Sequence, residues 1–191
     1  INPHFLYNTL DTIKWNAKIN QIPEIAVLAE NLAVILRKSI SSKPFITLRE
    51  ELDTIDSYIR IQKIRFSGKF LYETEIPDVL EESMIPKMIL QPLVENAIIH
   101  GISPKGQGGR IHVRSWMEGR RLWISVADTG RGMAQERLEE IRLALARGEE
   151  KATGVGVGNI YRRVHGMYRD GEVFIYSSEG RGTVVQMAFT P

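Results

Sequence analysis

The opening residues INPHFLYN place a histidine and an asparagine one helical turn apart, at positions 4 and 8. A neutral imidazole nitrogen can attack a phosphorus centre, and a hydrogen-bonding neighbour can fix which ring nitrogen carries the proton. On a helix, His4 and Asn8 would share a face nearly opposite the apolar stripe, towards solvent. An ordinary surface histidine would show the same pattern, so the local sequence leaves both interpretations open.

A second pair of polar residues lies in the segment LQPLVENAIIHG, where Asn96 and His100 are four residues apart. This spacing puts both side chains on one face of a helix. The amide oxygen of asparagine is a hard, neutral ligand that suits Mg²⁺ among phosphates and waters. A helix with a polar end is the alternative interpretation.

The segment VADTGRGM ends a predicted strand with an acid. Asp128 continues a row of apolar residues that points into the core, and a carboxylate there is costly unless it meets a partner. An ionised aspartate only accepts hydrogen bonds, so it can select an exocyclic amino group such as that of adenine. Gly130 and Gly132 allow a sharp turn and a close approach of the backbone to a ligand.

Three further glycines, in TGVGVGNIYRR, precede a predicted helix. The N–H groups of Gly154, Gly156 and Gly158 and the helix N-terminus would attract phosphate. Their spacing matches neither the P-loop nor the Rossmann fingerprint. The charged stretch between Met133 and Thr153 predicts a mobile lid over a bound ligand.

A last glycine pair occurs in GRGTVVQM, where Gly180 and Gly182 precede Thr183 at the start of a strand. An ordinary hairpin turn and a further wall of the same pocket both fit this segment.

The first third of the chain is predicted to be helical, because residues 1–67 contain no glycine. Apolar residues recur with helical spacing over residues 6–17 and again over 25–35. The two helices predict an antiparallel hairpin that is too thin to bury both stripes alone, so we expect it to pair with another copy. After a linker near Pro44, Thr47 and Glu50 predict a capping box that begins a third helix.

From residue 69 onwards the apolar period changes to two, which predicts strands in KFLYETEI, RIHVRSWM, RLWISVAD, EVFIYSS and TVVQMAF. Helical segments are predicted between them, roughly over 88–100, part of 133–147 and 157–168, with Pro92 in a first turn. This order predicts an α+β fold, a mixed sheet with helices on one face. We expect two domains, a hairpin over residues 1–43 and a catalytic domain over 44–191.

The composition excludes several functions. The chain has 191 residues, of which 43% are hydrophobic and 25% charged, as in soluble globular proteins. A net charge of +2 without a basic, aromatic-rich run argues against nucleic-acid binding. The absence of cysteine excludes thiolate catalysis and cysteine-based zinc sites. No apolar stretch reaches the length of a membrane span, about 18 residues.

In order along the chain, PHFLYN, LQPLVENAIIHG, DTGRGM, GVGVGN and GRGT resemble the H, N, G1, G2 and G3 boxes of bacterial sensor histidine kinases of the LytS/YesM type. The resemblance covers nearly the whole chain, and IRIQKIRF is also similar to that family. It implies a Bergerat-type ATP-binding α/β sandwich, preceded by a truncated helical hairpin for dimerisation and phosphoacceptance.

The resemblance also implies individual roles. His4 would receive the γ-phosphoryl group of ATP and pass it to an aspartate of a response regulator, with Asn8 orienting the ring. Asn96 would help to hold Mg²⁺, and Asp128 would bind the adenine amino group. The remaining residues of the ATP site would be His100, Gly130, Gly132, Gly154, Gly156, Gly158 and Thr183.

The sequence departs from the family pattern at two positions. Phe5 follows His4 where many histidine kinases have an acid, so the general base stays open. Ile99 stands where many have lysine, so positive charge for the phosphates is expected from Arg162, Arg163 or Lys105. Glu95 is either an acid/base group or a supporting surface residue.

We therefore expect the catalytic core of a two-component sensor histidine kinase that uses ATP and Mg²⁺, forms a homodimer through the hairpin and phosphorylates a receiver domain. We expect this chain, which begins with isoleucine, to be the cytoplasmic portion of a membrane-anchored bacterial protein, anchored by segments outside the sequence. The alternatives are a Bergerat-fold ATPase or serine kinase without histidine phosphotransfer, and a module that binds ATP without chemistry.

Overall fold

The computed structural model describes residues 2–106, 108–147 and 155–191. The chain divides into two compact units. The first comprises the residues up to Pro44 together with Leu52–Lys69, and the second comprises Phe45–Glu51 together with Phe70–Pro191.

Two helices, α1 (Pro3–Ile19) and α2 (Pro23–Ile40), form a hairpin in the first unit. The side chain of Asn2 caps α1, because its Oδ1 accepts a hydrogen bond from the His4 amide at 3.0 Å. Proline begins each helix at a position where its missing N–H costs nothing. The predicted helical hairpin is confirmed.

Much of the apolar surface of this hairpin is exposed to solvent in the single chain. The residues that it buries are small or polar, namely Ala17, Ala26, Ala29 and Asn31. Large apolar side chains remain accessible along both helices; the exposed set includes Phe5, Ile13, Trp15, Ile19, Ile25, Leu32 and Ile40. A surface of this kind is typical of an interface.

The third helix, α3 (Leu48–Arg65), begins with the predicted capping box. The Thr47 amide donates to Glu50 Oε2, and the Glu50 amide donates to Thr47 Oγ1, both at 3.1 Å. Residues up to Glu51 belong to the second unit, and residues from Leu52 onwards belong to the first. One continuous helix is therefore shared by both units.

The second unit is an α+β structure. Its elements in chain order are β1 (Phe45–Thr47), β2 (Phe70–Glu75), α4 (Asp78–Glu81), β3 (Met84–Pro86), α5 (Gln91–Asn96), β4 (Gly109–Glu118), β5 (Arg121–Asp128), α6 (Gln135–Ala146), α7 (Val155–Met167), β6 (Glu172–Ser178) and β7 (Gly182–Phe189). The main sheet has the order β2-β4-β5-β7-β6, in which β2 pairs parallel to β4 and the other neighbours are antiparallel. The predicted mixed sheet is confirmed.

Side chains alternate across this sheet as the period of two predicts. In β5, Leu122, Ile124 and Val126 are buried, whereas Trp123 on the other face is only partly covered. Trp123 lies between Trp116 and Phe174 in a row of stacked rings with centroid separations of 5.7 and 5.8 Å. The buried row of β5 leads directly to Asp128.

Three features differ from the predicted elements. β1 and β3 pair antiparallel in a separate two-stranded sheet, and α4 is a single turn; these elements are too short to show a period. The helix predicted over 88–100 begins at Gln91, with Pro92 in its first turn as expected. It continues from Ala97 to Ile102 as a π-helix and then as a 3₁₀ turn over Ser103–Lys105.

Candidate nucleotide-binding site

A cavity of about 300 Å³ opens in the second unit, within the size range of small-molecule sites. Its walls come from α5, the π-helix, the end of β5, α6, the start of α7 and β7. The lining residues include the predicted Asn96, His100, Asp128, Gly132, Gly156 and Thr183, together with Leu93, Gly101, Arg131, Met133, Arg137, Ile141 and Val157. Residues separated by almost 90 positions in the sequence thus meet at one cavity.

Asp128 lies in this cavity wall at the carboxyl end of β5, where it pairs with Thr183 of β7. The amide of Gly130 donates to Asp128 Oδ1 at 2.7 Å, which fixes one carboxylate oxygen against the turn. The side chain is half-buried. A carboxylate held in this way presents acceptor atoms to a ligand at a fixed position.

Glycines crowd around Asp128 because the backbone is too close for a side chain. A Cβ at Gly101 would lie 2.7 Å from Asp128 Oδ1, and one at Gly130 would lie 2.2 Å from the backbone of Gly101. At Gly182 a Cβ would lie 1.9 Å from the Asp128 carbonyl oxygen, and φ is +99°. Because these three residues lack a side chain, the backbone segments around Asp128 can pack this closely.

Asn96 lies at the last position of α5 and is close to Gly156 in the first turn of α7. A Cβ at Gly156 would lie 2.3 Å from Asn96 Nδ2, so Gly156 allows the two helices to meet. Gly158 lies in the first turn of α7 and is half-buried, but it is not among the residues that line the cavity. Gly154 and the last residues of the predicted lid, 148–153, lie outside the described residues.

A small hydroxyl network supports Thr183. Its Oγ1 lies 3.0 Å from Ser177 Oγ, which also accepts from the Met133 amide at 2.9 Å and donates to the Gly182 carbonyl at 2.9 Å. Ser177 was not predicted as part of the site. Its place there depends on the strand pairing, in which Ser177 lies opposite Thr183.

Among the described side chains, two arginines bring positive charge to the cavity. Arg131 and Arg137 line it. Arg162 donates to Asn159 Oδ1 and Arg163 to the Lys87 carbonyl, and neither is among the lining residues. The side chain of Lys105 lies outside the described part of the structure. Arg131 could have been found from the sequence, because it stands between the two glycines of DTGRGM.

Two glutamates support α5 from outside the cavity. Glu95 accepts a hydrogen bond from Gln91 Nε2 at 2.8 Å, along the same helix. Glu51, from the first turn of α3, accepts from the backbone amides of Met88, Leu90 and Gln91. Burial raises the pKa of the Glu51 carboxyl, and the three amide donors partly counter this shift.

Two family models match this sequence. The model described as histidine kinase-, DNA gyrase B-, and HSP90-like ATPase matches residues 82–191, more than half of the chain. The chain belongs to this ATPase family. A second model, described as histidine kinase, matches residues 1–70. Both model descriptions name histidine kinases.

Curated relatives confirm the resemblance to sensor histidine kinases. Sensor histidine kinase YesM of Bacillus subtilis (strain 168) is 36% identical over 187 residues, which is 96% of this chain and 30% of that protein. Sensor histidine kinase YpdA of Escherichia coli (strain K12) is 37% identical over 176 residues, 90% of this chain and 30% of that protein. The chain therefore spans less than a third of the length of these two kinases.

Solved structures agree on the fold. The histidine kinase domain of the blue-light activated histidine kinase from Erythrobacter litoralis EL346 superposes with a TM-score of 0.57 at 16% identity, covering 98% of this chain and 95% of that one. The catalytic domain of histidine kinase ThkA gives a TM-score of 0.56 at 20% identity, covering 76% of this chain and 93% of that one. The predicted α+β fold of the ATPase superfamily is thus confirmed.

The helical hairpin carries the predicted histidine–asparagine pair. His4 Nδ1 lies 3.2 Å from Asn8 Nδ2, and both side chains are exposed on α1. Which atom donates depends on the ring tautomer and on the orientation of the Asn8 amide. With Asn8 Oδ1 turned towards the ring, Nδ1 would carry the proton and Nε2 would keep a free lone pair.

Two further histidines, His112 and His165, have ordinary surroundings. His112 Nε2 lies 3.5 Å from Glu75 on the sheet, and His165 stacks on Tyr161 with a centroid separation of 3.8 Å. Within the described residues, no group of three histidine, cysteine or acidic side chains could hold a metal. A metal ion at this site would thus depend on Asn96 and on the oxygens of a bound ligand.

None of the helices in residues 2–106, 108–147 and 155–191 is both long enough and apolar enough to cross a bilayer.

Replacing Gly101 with alanine is expected to weaken nucleotide binding about 10-fold with little loss of stability. The new Cβ would force the Asp128 carboxylate away, and a weakened hydrogen bond to a charged group costs about 1.5–3 kcal/mol. Alanine is favourable in the helix itself by roughly 0.5–1 kcal/mol, which offsets the local strain. Calorimetric titration with ATP and urea unfolding would measure the two effects.

Gly166→Ala is the matched control, because a Cβ there meets nothing within 4 Å. It should leave nucleotide affinity unchanged. Equal affinities of the Gly101→Ala variant and the parent chain would contradict the placement of the ligand against Asp128.

Proposed function

We propose that this chain is the catalytic core of a sensor histidine kinase that binds Mg–ATP in the cavity, phosphorylates His4 and passes the phosphoryl group to an aspartate of a response regulator. The observation that carries the proposal is the cavity itself, which is lined by Asn96 and Asp128 and walled by glycines. The exposed pair His4 and Asn8 supplies the acceptor.

The cavity offers a separate anchor to each end of ATP. Asp128, whose Oδ1 is already held by the Gly130 amide, would accept a hydrogen bond from the adenine amino group. Asn96 Oδ1 would join phosphate oxygens around Mg²⁺, which would neutralise phosphate charge. Arg131 and Arg137 add positive charge at the same cavity.

The reaction at His4 needs a neutral ring with an available Nε2 lone pair. Nε2 would form a bond to the γ-phosphorus while the bond from that phosphorus to the β–γ bridging oxygen breaks and ADP leaves. The proton stays on Nδ1, where Asn8 Oδ1 can accept a hydrogen bond from it. The chemistry then depends mainly on placement and on charge neutralisation.

We also propose that residues 1–43 form the phosphoacceptor and dimerisation domain and residues 44–191 the catalytic domain. The exposed apolar side chains of α1 and α2 support pairing with a second copy. The longer relatives support a further proposal, that the chain is the cytoplasmic part of a membrane-anchored protein.

The test is incubation of the chain with ATP labelled in the γ-phosphate. The proposal predicts label on the protein that is lost in acid and kept in base, as expected for phosphohistidine. ATP hydrolysis without labelled protein would favour an ATPase, and acid-stable label would favour a serine kinase. Either outcome would overturn the proposed histidine phosphotransfer.

A further inference from the structure

The Glu51 carboxylate makes an unusual set of contacts for an acid. It is 2% exposed, and its two oxygens accept hydrogen bonds from three backbone amides. Oε2 accepts from Met88 at 2.9 Å, and Oε1 accepts from Leu90 at 3.1 Å and from Gln91 at 3.2 Å. These donors lie about 40 residues further along the chain, so the contacts are tertiary rather than local.

The segment that Glu51 holds is the entry to α5. Met88 has φ of +60°, an uncommon backbone conformation for a residue with a side chain, and Ile89 and Leu90 are fully buried. Gln91 is the first residue of α5, and no side chain near that end in sequence caps it. Glu51 therefore caps α5 from another helix, where a negative charge also suits the helix dipole.

A second tether fixes the same segment. The Arg163 guanidinium of α7 donates to the Lys87 carbonyl, and its positive charge acts on Glu51. The segment 87–91 thus joins the first turn of α3 to α7, whose start includes Gly156 beside Asn96.

We propose that Glu51 is a positioning residue for the nucleotide site, because it fixes the start of α5 and through it the placement of Asn96. This proposal rests on the proposed function, in which Asn96 acts at the metal and phosphate end of ATP. α5 is six residues long, so Asn96 lies only about 8 Å along the helix from the held end. A change at that end reaches Asn96 without passing through Asp128, which belongs to β5.

Glu51→Gln is the sharpest variant, because its volume is nearly unchanged. Glutamine offers one oxygen, whereas the contacts use two. If the glutamine oxygen accepts from Leu90 and Gln91, the glutamine NH₂ group faces the Met88 N–H, so two donors oppose each other. If the amide group is rotated by 180°, the NH₂ group opposes the Leu90 and Gln91 N–H groups instead. Glu50→Gln is the matched control on the same turn, because its oxygen can still accept from the Thr47 amide.

The experiment measures the affinity of the full chain for two ligands by calorimetric or NMR titration. Mg–ATP uses both ends of the site, and adenosine uses only the Asp128 end. For Glu51→Gln we expect the Kd of Mg–ATP to rise about 10-fold, as a lost hydrogen bond to a charged group predicts. The Kd of adenosine should change less than about twofold. Hydrogen exchange at the amides of Met88, Leu90 and Gln91 should accelerate.

The outcomes separate this proposal from the proposed function. If the parent chain binds neither ligand, the proposed function fails. If the parent binds both and Glu51→Gln weakens both equally or neither, Glu51 has only a structural role or none, and the positioning proposal is overturned. If the variant does not fold, Glu51→Asp applies the same comparison, because its shorter side chain keeps the charge but loses reach.

Discussion

His4→Ala is expected to reduce labelling of the chain by γ-labelled ATP to background while leaving its affinity for Mg–ATP unchanged. The variant removes the only nitrogen that the proposal assigns as phosphoryl acceptor, and His4 is not among the residues lining the cavity. Autoradiography of acid-sensitive label and calorimetric titration would measure the two quantities. His165→Ala is the control, because that histidine is also exposed and should keep full labelling.

Substitutions of Asn8 are expected to change the labelling of His4 according to the group that they present to Nδ1. Asn8→Asp always presents an oxygen to Nδ1, so it keeps the tautomer in which Nε2 is free, and labelling should persist. Asn8→Leu removes that acceptor and should slow labelling by up to about 10-fold, the effect of one neutral hydrogen bond. Label that survives in His4→Ala would show that another residue is the acceptor.

Asp128→Asn is expected to weaken nucleotide binding by about 100-fold or more. The variant loses a charged acceptor, which costs about 1.5–3 kcal/mol, and it can turn a donor towards the adenine amino group, which costs a further 1–3 kcal/mol or so. Titration with Mg–ATP and with adenosine should show the loss for both ligands. This pattern differs from that expected for Glu51→Gln, in which adenosine binding survives.

Asp78→Asn serves as the control, because Asp78 is exposed at the start of α4 and is not among the residues lining the cavity. Tight ATP binding by Asp128→Asn would mean that the nucleotide uses another anchor. The result would not separate kinase, ATPase and binding module, since all three require the same adenine contact. Labelling of His4 makes that distinction.

The long, regular elements of this protein were predictable from the sequence. The period of two located all five strands of the main sheet, and β5 shows this period most clearly in its buried row of Leu122, Ile124 and Val126. The capping box of Thr47 and Glu50 and the first-turn position of Pro92 were predictable for a similar reason. In these cases local chemistry and tertiary packing favour the same structure.

The features that the sequence did not reveal depend on tertiary contacts. Glu51 looks like one more acid on the first turn of a helix, and only the fold shows that it reaches three amides near residue 90. In α2, the small residues Ala26 and Ala29 are buried within one chain, whereas Ile25 and Leu32 of the apolar stripe are exposed. The side of each helix that is buried depends on where the other helix of the hairpin packs, and periodicity alone does not specify that position.

The sequence predicted the polar residues and glycines that line the candidate site, but it did not predict which arginines lie there. Asn96, His100, Asp128, Gly132, Gly156 and Thr183 do line one cavity, because polar residues at element ends stand out against apolar periods. The arginines expected near the phosphates belong to other contacts, since Arg162 and Arg163 bond to Asn159 and Lys87. Long cationic side chains can reach in several directions, so their spacing in the sequence does not fix their partners.

The most direct test of the account is a crystal structure of the chain with magnesium and a non-hydrolysable ATP analogue. The account predicts the adenine amino group within hydrogen-bonding distance of the Asp128 carboxylate, with Asn96 Oδ1 directed at the metal among the phosphate oxygens. A nucleotide bound elsewhere, or an empty cavity between Asn96 and Asp128 at saturating ligand, would contradict it.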